Sequence, residues 1–315
     1  MTRSIVTGAA GFVGSHVADR LLSLGHDVVG IDCFTDYYAR RLKERNIAQA
    51  LGHERFTLVE SDLSSADLDG ALEGADYVFH IAGQAGVRPS WGEHFSDYIQ
   101  CNVAATQRLL EAAKDAGLKR FVFASSSSVY GNAQSLPVNE QALPQPVSPY
   151  GVTKLAAEHL CALYAYNYGL PSVSLRLFTV YGPRQRPEMA IQAFLSAAKR
   201  GEPVTVFGDG EQTRDFTFVG DVVQAHILAM DSEDPGPFNV CGGSRVTLNE
   251  LLRMIRDTTG SPLEVTHEEA ARGDALHTLG DNTRARAALG FQPTTTLAQG
   301  VEAQWRWLGE TANES

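Results

Sequence analysis

The sequence predicts an α/β protein with a doubly wound parallel sheet and a smaller C-terminal α/β domain. Three observations predict this class. Short β-branched runs alternate with longer amphipathic stretches over the first 180 residues. The β-branched runs lack strict polar–apolar alternation, which is typical of parallel strands buried on both faces. A glycine-rich turn also joins the first predicted strand to the first predicted helix.

The N-terminal part is predicted to contain strands joined by crossover helices. Each strand is a short apolar or β-branched run, and each helix is a longer stretch with apolar residues at helical spacing. The predicted strands are Ser4–Thr7, Asp27–Ile31, Arg55–Glu60, Asp76–Ile81, Arg120–Ala124 and Ser172–Leu177. The predicted helices cover residues 12–24, 40–51, 92–115 and 149–168.

Beyond about residue 180 strands and helices no longer alternate regularly, and loops rich in Gly and Pro separate shorter elements. The predicted strands here are Pro203–Phe207, Arg214–Phe218 and Phe238–Val240. The predicted helices cover residues 219–231, 247–259 and 297–308. This pattern indicates a smaller C-terminal domain that is partly interwoven with the first.

Composition and charge exclude several classes of protein. The 315 residues are 43% apolar and 20% charged, which is typical of a globular chain and not of a disordered one. Lys and Arg number 26 against 37 Asp and Glu, a net charge of −11, and they form no basic run. We therefore expect no nucleic-acid partner. Without an 18-residue apolar run or a signal-peptide pattern, we expect a soluble cytoplasmic protein with no membrane partner.

The cysteines and histidines show no metal-ligand spacing. No C-x-x-C pair occurs, and the nine histidines lack a pattern such as H-x-x-x-H. We expect reduced, mostly buried thiols and no metal site. The cysteines concerned are Cys33, Cys101, Cys161 and Cys241.

The glycine-rich turn at the start of the chain predicts a dinucleotide site of Rossmann type. Gly8, Gly11 and Gly14 lie between strand and helix, where bare backbone N–H groups bind a pyrophosphate that a Cβ would exclude. Asp32 closes the second strand, where an acid accepts hydrogen bonds from both ribose hydroxyls and repels a 2′-phosphate. NAD is therefore favoured over NADP. Asp62 is a second candidate, aimed at the adenine, with a helix N-cap as its alternative role.

Ser126, Tyr150 and Lys154 form the predicted catalytic group. Tyr150 and Lys154 are four residues apart and share one helix face. A phenol with a pKa near 10 is a poor base at neutral pH, but a nearby ammonium and a positive nicotinamide ring favour the phenolate. Ser126 ends a predicted strand and can hydrogen-bond the same substrate oxygen.

With these motifs the chain resembles the extended short-chain dehydrogenase/reductases, in the NAD-dependent epimerase/dehydratase family. The resemblance runs from the first strand to about residue 308 and rests on TGAAGFVGSHV, HIAGQAGV, NVAATQRLLEAA, SSSSVYG, SPYGVTKLAAE, VYGPRQRP, GDGEQTRDFTFVGDV and ARGDALHT. Residues 31–43, 83–90 and 177–189 most resemble the bacterial UDP-glucuronate 4-epimerases. This resemblance implies inversion of C4 of UDP-glucuronate to UDP-galacturonate through a 4-keto intermediate.

The resemblance also implies roles for individual residues. Residues 1–178, completed by segments near 214–242, would form the NAD-binding domain. The remainder, 179–315, would mainly bind the UDP-sugar. Ser126, Tyr150 and Lys154 would be catalytic. The NAD contacts it implies are Gly8, Gly11, Phe12, Val13, Gly14, Asp32, Lys43, Asp62, Leu63, Tyr150 and Lys154.

Three hydroxyl residues favour a uronate over other sugars. Dehydratases of the family carry an Asp-Glu pair where this chain has Ser127 and Ser128, and decarboxylases typically carry Glu at the second of these positions. UDP-glucose epimerases usually carry Asn in place of Thr179. Hydroxyls suit a carboxylate that must be held without being protonated. The alternatives are a UDP-glucose or UDP-N-acetylglucosamine 4-epimerase, a UDP-glucuronate decarboxylase, a 4,6-dehydratase, and a non-catalytic NAD sensor.

Four arginines are candidates for binding the anionic groups of the substrate. Arg214 and Arg272 match the diphosphate-binding arginines of the family, and a guanidinium fork suits phosphate better than an ammonium does. Arg88 and Arg186 lie in the segments that distinguish substrates, where the sugar or its carboxylate is the expected contact. Surface ion pairs are the alternative role.

A homodimer is expected from the predicted helices 92–115 and 149–168. They carry more apolar residues than one buried face requires, namely Leu109, Leu110, Leu155, Leu160, Leu163 and Tyr164. In the family such helices pair across a two-fold axis into a four-helix bundle. The alternative is that both helices only cover the sheet.

Overall fold

The chain folds around one large parallel sheet and two small sheets. A computed structural model describes residues 1–269, 273 and 275–310. Its strands are β1 (Arg3–Thr7), β2 (Asp27–Asp32), β3 (Phe56–Glu60), β4 (Tyr77–His80), β5 (Arg120–Ser126), β6 (Ser172–Leu177), β7 (Thr179–Tyr181), β8 (Val204–Phe207), β9 (Thr213–Phe218), β10 (Phe238–Val240), β11 (Arg245–Thr247) and β12 (Val265–Glu268).

Helices cover both faces of the large sheet. They are α1 (Phe12–Ser23), α2 (Arg40–Leu51), α3 (Leu68–Leu72), α4 (Phe95–Tyr98), α5 (Ala105–Ala113), α6 (Pro149–Tyr168), α7 (Ala190–Arg200), α8 (Val219–Leu228), α9 (Leu248–Thr259), α10 (Thr283–Leu289) and α11 (Leu297–Glu310). A π-helical turn, Ile99–Ala104, joins α4 to α5. Short 3-10 turns lie at Arg88–Ser90, Gly92–His94, Ser127–Val129 and Ala229–Asp231.

The large sheet has seven strands in the order β10-β6-β5-β4-β1-β2-β3, all parallel. Strands β11-β9-β7 and β12-β8 form the two small sheets. Successive residues of β1 enter different cores: Val6 packs with α1 and α8, and Ile5 packs with α5 and α6. The sheet is therefore buried on both faces, and the predicted doubly wound α/β class is confirmed.

Helix α6 shows how local sequence fixes the position of the site. Ser148 caps its N-terminus by accepting a hydrogen bond from Gly151 N at 3.1 Å, and Pro149 occupies the first helical position. Gly169 ends the helix in the left-handed conformation at φ 68°. These boundaries place Tyr150 in the first turn of α6, directly beside the carboxyl edge of the sheet.

One predicted helix was wrong in its extent. Residues 92–115 are not one regular helix, because a 3-10 turn, α4 and the π turn come before α5. The π turn contains Asn102, whose amide donates to Gln84 O and Thr153 Oγ1 at 3.0 Å each. An amphipathic pattern does not encode such contacts. Helix α7 and the short strands β7, β11 and β12 were not predicted at all.

The prediction that helices 92–115 and 149–168 carry more apolar residues than one buried face requires was also largely wrong. Leu109, Leu110 and Tyr164 are buried within the chain, because α5 and α6 pack on each other and on the sheet. Leu155 and Leu160 are half-buried against neighbouring cores. Leu163 alone of the six is exposed, together with other apolar residues of α6 that were not singled out, Val152 and Tyr166.

Within the described ranges, no helix combines the length and apolarity needed to cross a membrane.

Candidate functional site

A long cleft lies at the carboxyl edge of the large sheet. The segments that follow β1 to β6 all contribute to its walls: residues 8–14, 31–43, 61–63, 81–87, 124–128 and 177–180. Helix α6 adds Tyr150 and Lys154 to the same walls. This edge, where parallel strands end, is the usual place for a ligand in a doubly wound sheet.

The turn after β1 leaves the N-terminus of α1 open to an anion. Gly8 has φ +70°, and a Cβ there would lie 2.9 Å from Ala82 N. A Cβ on Gly14 would lie 2.0 Å from Gly8 O, so only glycine lets the helix approach the turn this closely. No side chain of the described chain caps α1, and its first turn holds no acidic residue. Its N–H groups and dipole can therefore bind a phosphate.

An acid and a lysine border the cleft next to this turn. Asp32 accepts hydrogen bonds from Ala10 N at 2.9 Å and Phe34 N at 2.8 Å, which fixes the loops after β1 and β2. Lys43 is buried and donates to Thr35 Oγ1 at 2.9 Å, and burial lowers its pKa.

The remaining candidates for cofactor contact also line the cleft. Asp62 accepts from Ser64 N at 2.7 Å and so supports its own turn, which resembles the capping role given as its alternative. Phe12, Val13 and Leu63 lie in the lining beside it. All the residues predicted to contact the cofactor therefore line this one cleft.

Ser126, Tyr150 and Lys154 meet in the cleft, as their spacing predicts. Burial raises the pKa of Tyr150, whereas the hydrogen bond with Ser126 and the charge of Arg186 act in the opposite direction. Burial lowers the pKa of Lys154 to about 8. Its Nζ lies 4.5 Å from the centre of the Phe123 ring. The phenol can therefore exchange a proton with a substrate hydroxyl, with Ser126 as a second hydrogen-bonding group.

A second set of polar groups faces the same space. Ser127 and Ser128 lie in the 3-10 turn after β5, and Ser128 N donates to Ser126 Oγ at 3.1 Å. Thr179 begins β7 and lines the cleft. Arg186 also lines it, and its Nε donates to the Glu188 carboxylate at 2.7 Å. These groups can hold an anionic substituent next to the reacting hydroxyl.

Two of the other candidate arginines, Arg88 and Arg214, make contacts outside the lining of the cleft. Neither Arg88 nor Arg214 is among the described residues that line the cleft. The guanidinium of Arg88 stacks on the Phe207 ring at 4.1 Å. Nη1 of Arg214 donates to Thr213 O at 3.0 Å and to Leu276 O at 3.2 Å. Arg272 lies outside the described residues.

Several residues of the cleft were not singled out from the sequence. Tyr37, Tyr38 and Gln84 line it, and Glu188 pairs with the lining residue Arg186. Burial raises the pKa of Tyr37, which also hydrogen-bonds Glu188. The sequence did contain a signal for these four residues. All of them lie in segments 31–43, 83–90 and 177–189, which most resemble the bacterial UDP-glucuronate 4-epimerases.

Metal ligands do not cluster in the described part of the chain. It holds no group of three or more His, Cys, Asp or Glu side chains that could bind a metal ion. The four cysteines are free thiols.

Comparison with known proteins finds one matching family and several epimerases of UDP-sugars among the similar proteins. The profile of the NAD dependent epimerase/dehydratase family matches residues 4–241. A probable UDP-glucuronate 4-epimerase of Rhizobium meliloti is 32% identical, covering 98% of this chain and 97% of its own. A UDP-glucose 4-epimerase of Mycolicibacterium smegmatis is 39% identical, covering 95% and 96%. The UDP-glucuronic acid 4-epimerase of Bacillus cereus with UDP-glucuronic acid and NAD has a TM-score of 0.95 at 39% identity, covering 98% and 100%.

Replacing Lys154 by methionine tests the electrostatics of the cleft. Because burial lowers the pKa of Lys154 from 10.5 to about 8, the unfolded chain holds this proton more tightly than the folded one. The buried charge of Lys154 therefore destabilises the folded wild type. This destabilisation is fully present below pH 8 and is relieved as the pH rises from 8 to 10.5. Thermal denaturation should therefore show the Tm of Lys154→Met falling relative to wild type between pH 7 and 10. A difference in Tm between the two proteins that stays constant from pH 7 to 10 would contradict the lowered pKa of Lys154.

Proposed function

This chain belongs to the NAD dependent epimerase/dehydratase family, and we propose that it is a UDP-glucuronate 4-epimerase giving UDP-galacturonate. One observation carries the proposal. The Ser126–Tyr150 pair faces the same cleft as Ser127, Ser128, Thr179 and Arg186. A proton-transfer group thus lies beside hydroxyls and a guanidinium that suit a carboxylate.

The residues present fit NAD as the cofactor. The uncapped N-terminus of α1 and the glycine turn suit its pyrophosphate, because side chains at Gly8 or Gly14 would collide with backbone. Asp32 closes β2, where its carboxylate suits a ribose diol. Lys43, Asp62 and Leu63 border the same part of the cleft. When bound, NAD supplies a hydride acceptor and donor for C4 of the sugar.

Tyr150 is the acid–base residue of the proposed reaction. It removes the proton from O4 as C4 is oxidised and returns a proton to O4 as the ketone is reduced. Ser126 donates a hydrogen bond that stabilises the phenolate, in opposition to burial. Lys154, one turn further along α6, contributes positive charge. Between the two half-reactions the 4-keto sugar must turn its other face to the hydride donor.

Control of the carboxylate distinguishes this reaction from decarboxylation. The 4-keto intermediate is a β-keto acid, which loses CO2 when the bond from C5 to the carboxylate aligns with the carbonyl π system. We propose that Ser127, Ser128 and Thr179 hold the carboxylate away from that alignment. Serine and threonine hydroxyls donate hydrogen bonds to it without protonating it. Arg186 supplies the balancing charge, with Glu188 as its resident partner.

The proposal also divides the chain between two ligands. Residues 1–178, completed by segments near 214–242, form the NAD-binding domain, and the remainder of 179–315 mainly binds the UDP-sugar. Arg214 and Arg272 are proposed for the diphosphate. Arg214 would have to turn away from Leu276 O, and Arg88 away from Phe207, to reach a ligand in the cleft. A cytoplasmic location and a homodimer complete the proposal.

An apolar surface along α4, the π turn and α6 is proposed as the dimer contact. It exposes 54% of Leu163 and 90% of Tyr166, and Phe95, Ile99 and Val152 of the same segments are also exposed. Light scattering at micromolar concentration should give a molar mass of twice the 34.1 kDa of one chain. Leu163→Glu should shift the mass toward one chain, whereas the same change at exposed Leu143 should not. A monomeric wild type contradicts the contact.

Replacing Tyr150 by phenylalanine removes the acid–base group while leaving the ring. We expect kcat to fall by about 10²–10⁴, the usual contribution of general acid–base catalysis, with NAD binding retained. Steady-state kinetics and a cofactor-binding assay measure the two effects. The control is Tyr168→Phe, since that side chain is exposed at the last position of α6. A Tyr150→Phe enzyme with more than half of wild-type turnover contradicts the assignment.

Replacing Thr179 by alanine tests the uronate. Losing a hydrogen bond to a charged acceptor costs about 1.5–3 kcal/mol, so KM for UDP-glucuronate should rise roughly ten- to a hundredfold. KM for UDP-glucose should change little, because its C6 carries a neutral hydroxyl. Proton NMR without added NAD should also reveal leakage to a UDP-4-keto-pentose. The control is Thr205→Ala, an exposed threonine of β8.

A neutral-sugar epimerase would respond differently. One outcome would be that Thr179→Ala converts UDP-glucuronate with the kinetics of wild type, and that either protein epimerises UDP-glucose faster than UDP-glucuronate. The protein would then be assigned as a UDP-glucose 4-epimerase. The Mycolicibacterium smegmatis relative makes this the second candidate.

A further inference from the structure

A row of buried polar side chains crosses the large sheet at the floor of the cleft, where Ser125 is also part of the lining. Ser125 of β5 is in register with Arg176 of β6, and Arg176 is in register with Asn239 of β10. All three are buried. The row lies one residue before Ser126, so it sits one step below the catalytic serine. None of its members was predicted as part of the site.

An ion pair ties this row to the catalytic helix. Arg176 Nη2 and Nε donate to the two carboxylate oxygens of Glu158 at 2.6 and 3.1 Å. Ser125 Oγ donates to Glu158 Oε2 at 2.6 Å. Glu158 follows Lys154 by one turn of α6, and both are buried. The carboxylate therefore holds α6 against β5 and β6 at the level of Lys154.

Tyr130 extends the network to the turn that bears the serines. Its hydroxyl accepts a hydrogen bond from Arg176 Nη1 at 2.8 Å and donates to Asn239 Oδ1 at 2.7 Å. Tyr130 comes directly after the 3-10 turn Ser127–Val129. One guanidinium thus links the turn that carries Ser127 and Ser128 to the helix that carries the catalytic tyrosine and lysine.

Stability alone is a weak reason for this arrangement. Two charges lose their hydration when they are buried, and their attraction repays that loss only in part. Apolar side chains of similar volume often give equal or greater stability. Bidentate geometry, in contrast, fixes both direction and distance between the elements that it joins. The benefit therefore lies in the placement of groups at the cleft.

We infer that Tyr130, Arg176 and Glu158 are positioning residues that fix the Ser126–Ser128 turn relative to Tyr150 and Lys154. Proton transfer depends on sub-ångström placement of the reacting groups, and a shift of 1 Å can cost about a hundredfold in rate. Loosening the network should therefore impair the chemical step more than substrate binding. The inference rests on the proposed function only in requiring a UDP-sugar that the wild type converts.

Replacing Tyr130 by phenylalanine removes the hydroxyl that joins Arg176 to Asn239. A matched control exists in Tyr164→Phe. Tyr164 lies on α6 outside the lining of the cleft, and its hydroxyl donates to Glu111 of α5 at 2.6 Å. Both tyrosines are buried. We expect Tyr130→Phe to lower kcat about ten- to a hundredfold with KM within threefold. Tyr164→Phe should keep kcat within twofold at a similar loss of Tm.

Ser125→Ala is the second variant, should Tyr130→Phe not fold. It removes only the hydrogen bond to Glu158 and should show the same fall in kcat with little change in KM. Ser125→Thr keeps a hydroxyl and should restore part of kcat. Wild-type kcat in every hydroxyl-deletion variant that folds overturns the inference. So does a fall in kcat that is equal in Tyr130→Phe and Tyr164→Phe, since that would be a general stability effect.

The proposed substrate is tested separately in the same assay. Wild type is first assayed with UDP-glucuronate and UDP-glucose, and the variants are compared on whichever it converts faster. Faster conversion of UDP-glucose contradicts the proposed substrate and leaves the comparison of the variants intact.

Discussion

The parallel direction of all seven strands of the large sheet is the constraint on which the site depends. Because their carboxyl ends meet at one edge, segments far apart in sequence become walls of one cleft. The glycine turn after β1, Asp32 at the end of β2 and Ser126 at the end of β5 occupy this edge for that reason. Helix α6, begun by Ser148, adds the tyrosine and lysine. No single segment could form such a site alone.

Burial acts against the charged forms that the chemistry requires. It raises the pKa of Tyr150 and lowers that of Lys154 to about 8. The protein opposes this effect with the Ser126 hydrogen bond and the Arg186 charge around the phenol. Exclusion of water at the same time strengthens each of these interactions. The cleft therefore combines a phenol that is difficult to ionise with groups that stabilise its ionised form.

Local patterns in the sequence predict what depends on local geometry. The glycine turn, the strands of the large sheet, and the shared helix face of Tyr150 and Lys154 follow from spacing and residue type. The placement of Arg88 depends instead on tertiary contacts, and it stacks on a ring of β8 far along the chain. The Glu158–Arg176 pair likewise joins a helix to a strand, and the sequence alone offered no pattern for it. Burial of Leu109 against α6 is a further contact of this kind.

Return of the same hydrogen to C4 is the central claim of the proposed chemistry. UDP-glucuronate carrying deuterium at C4 should be incubated with the purified protein in ordinary water, without added NAD. The account predicts UDP-galacturonate that retains deuterium at C4, because the hydride leaves and returns within one active site and only the O4 proton exchanges with solvent. Product in which solvent hydrogen has replaced the deuterium at C4 would contradict it.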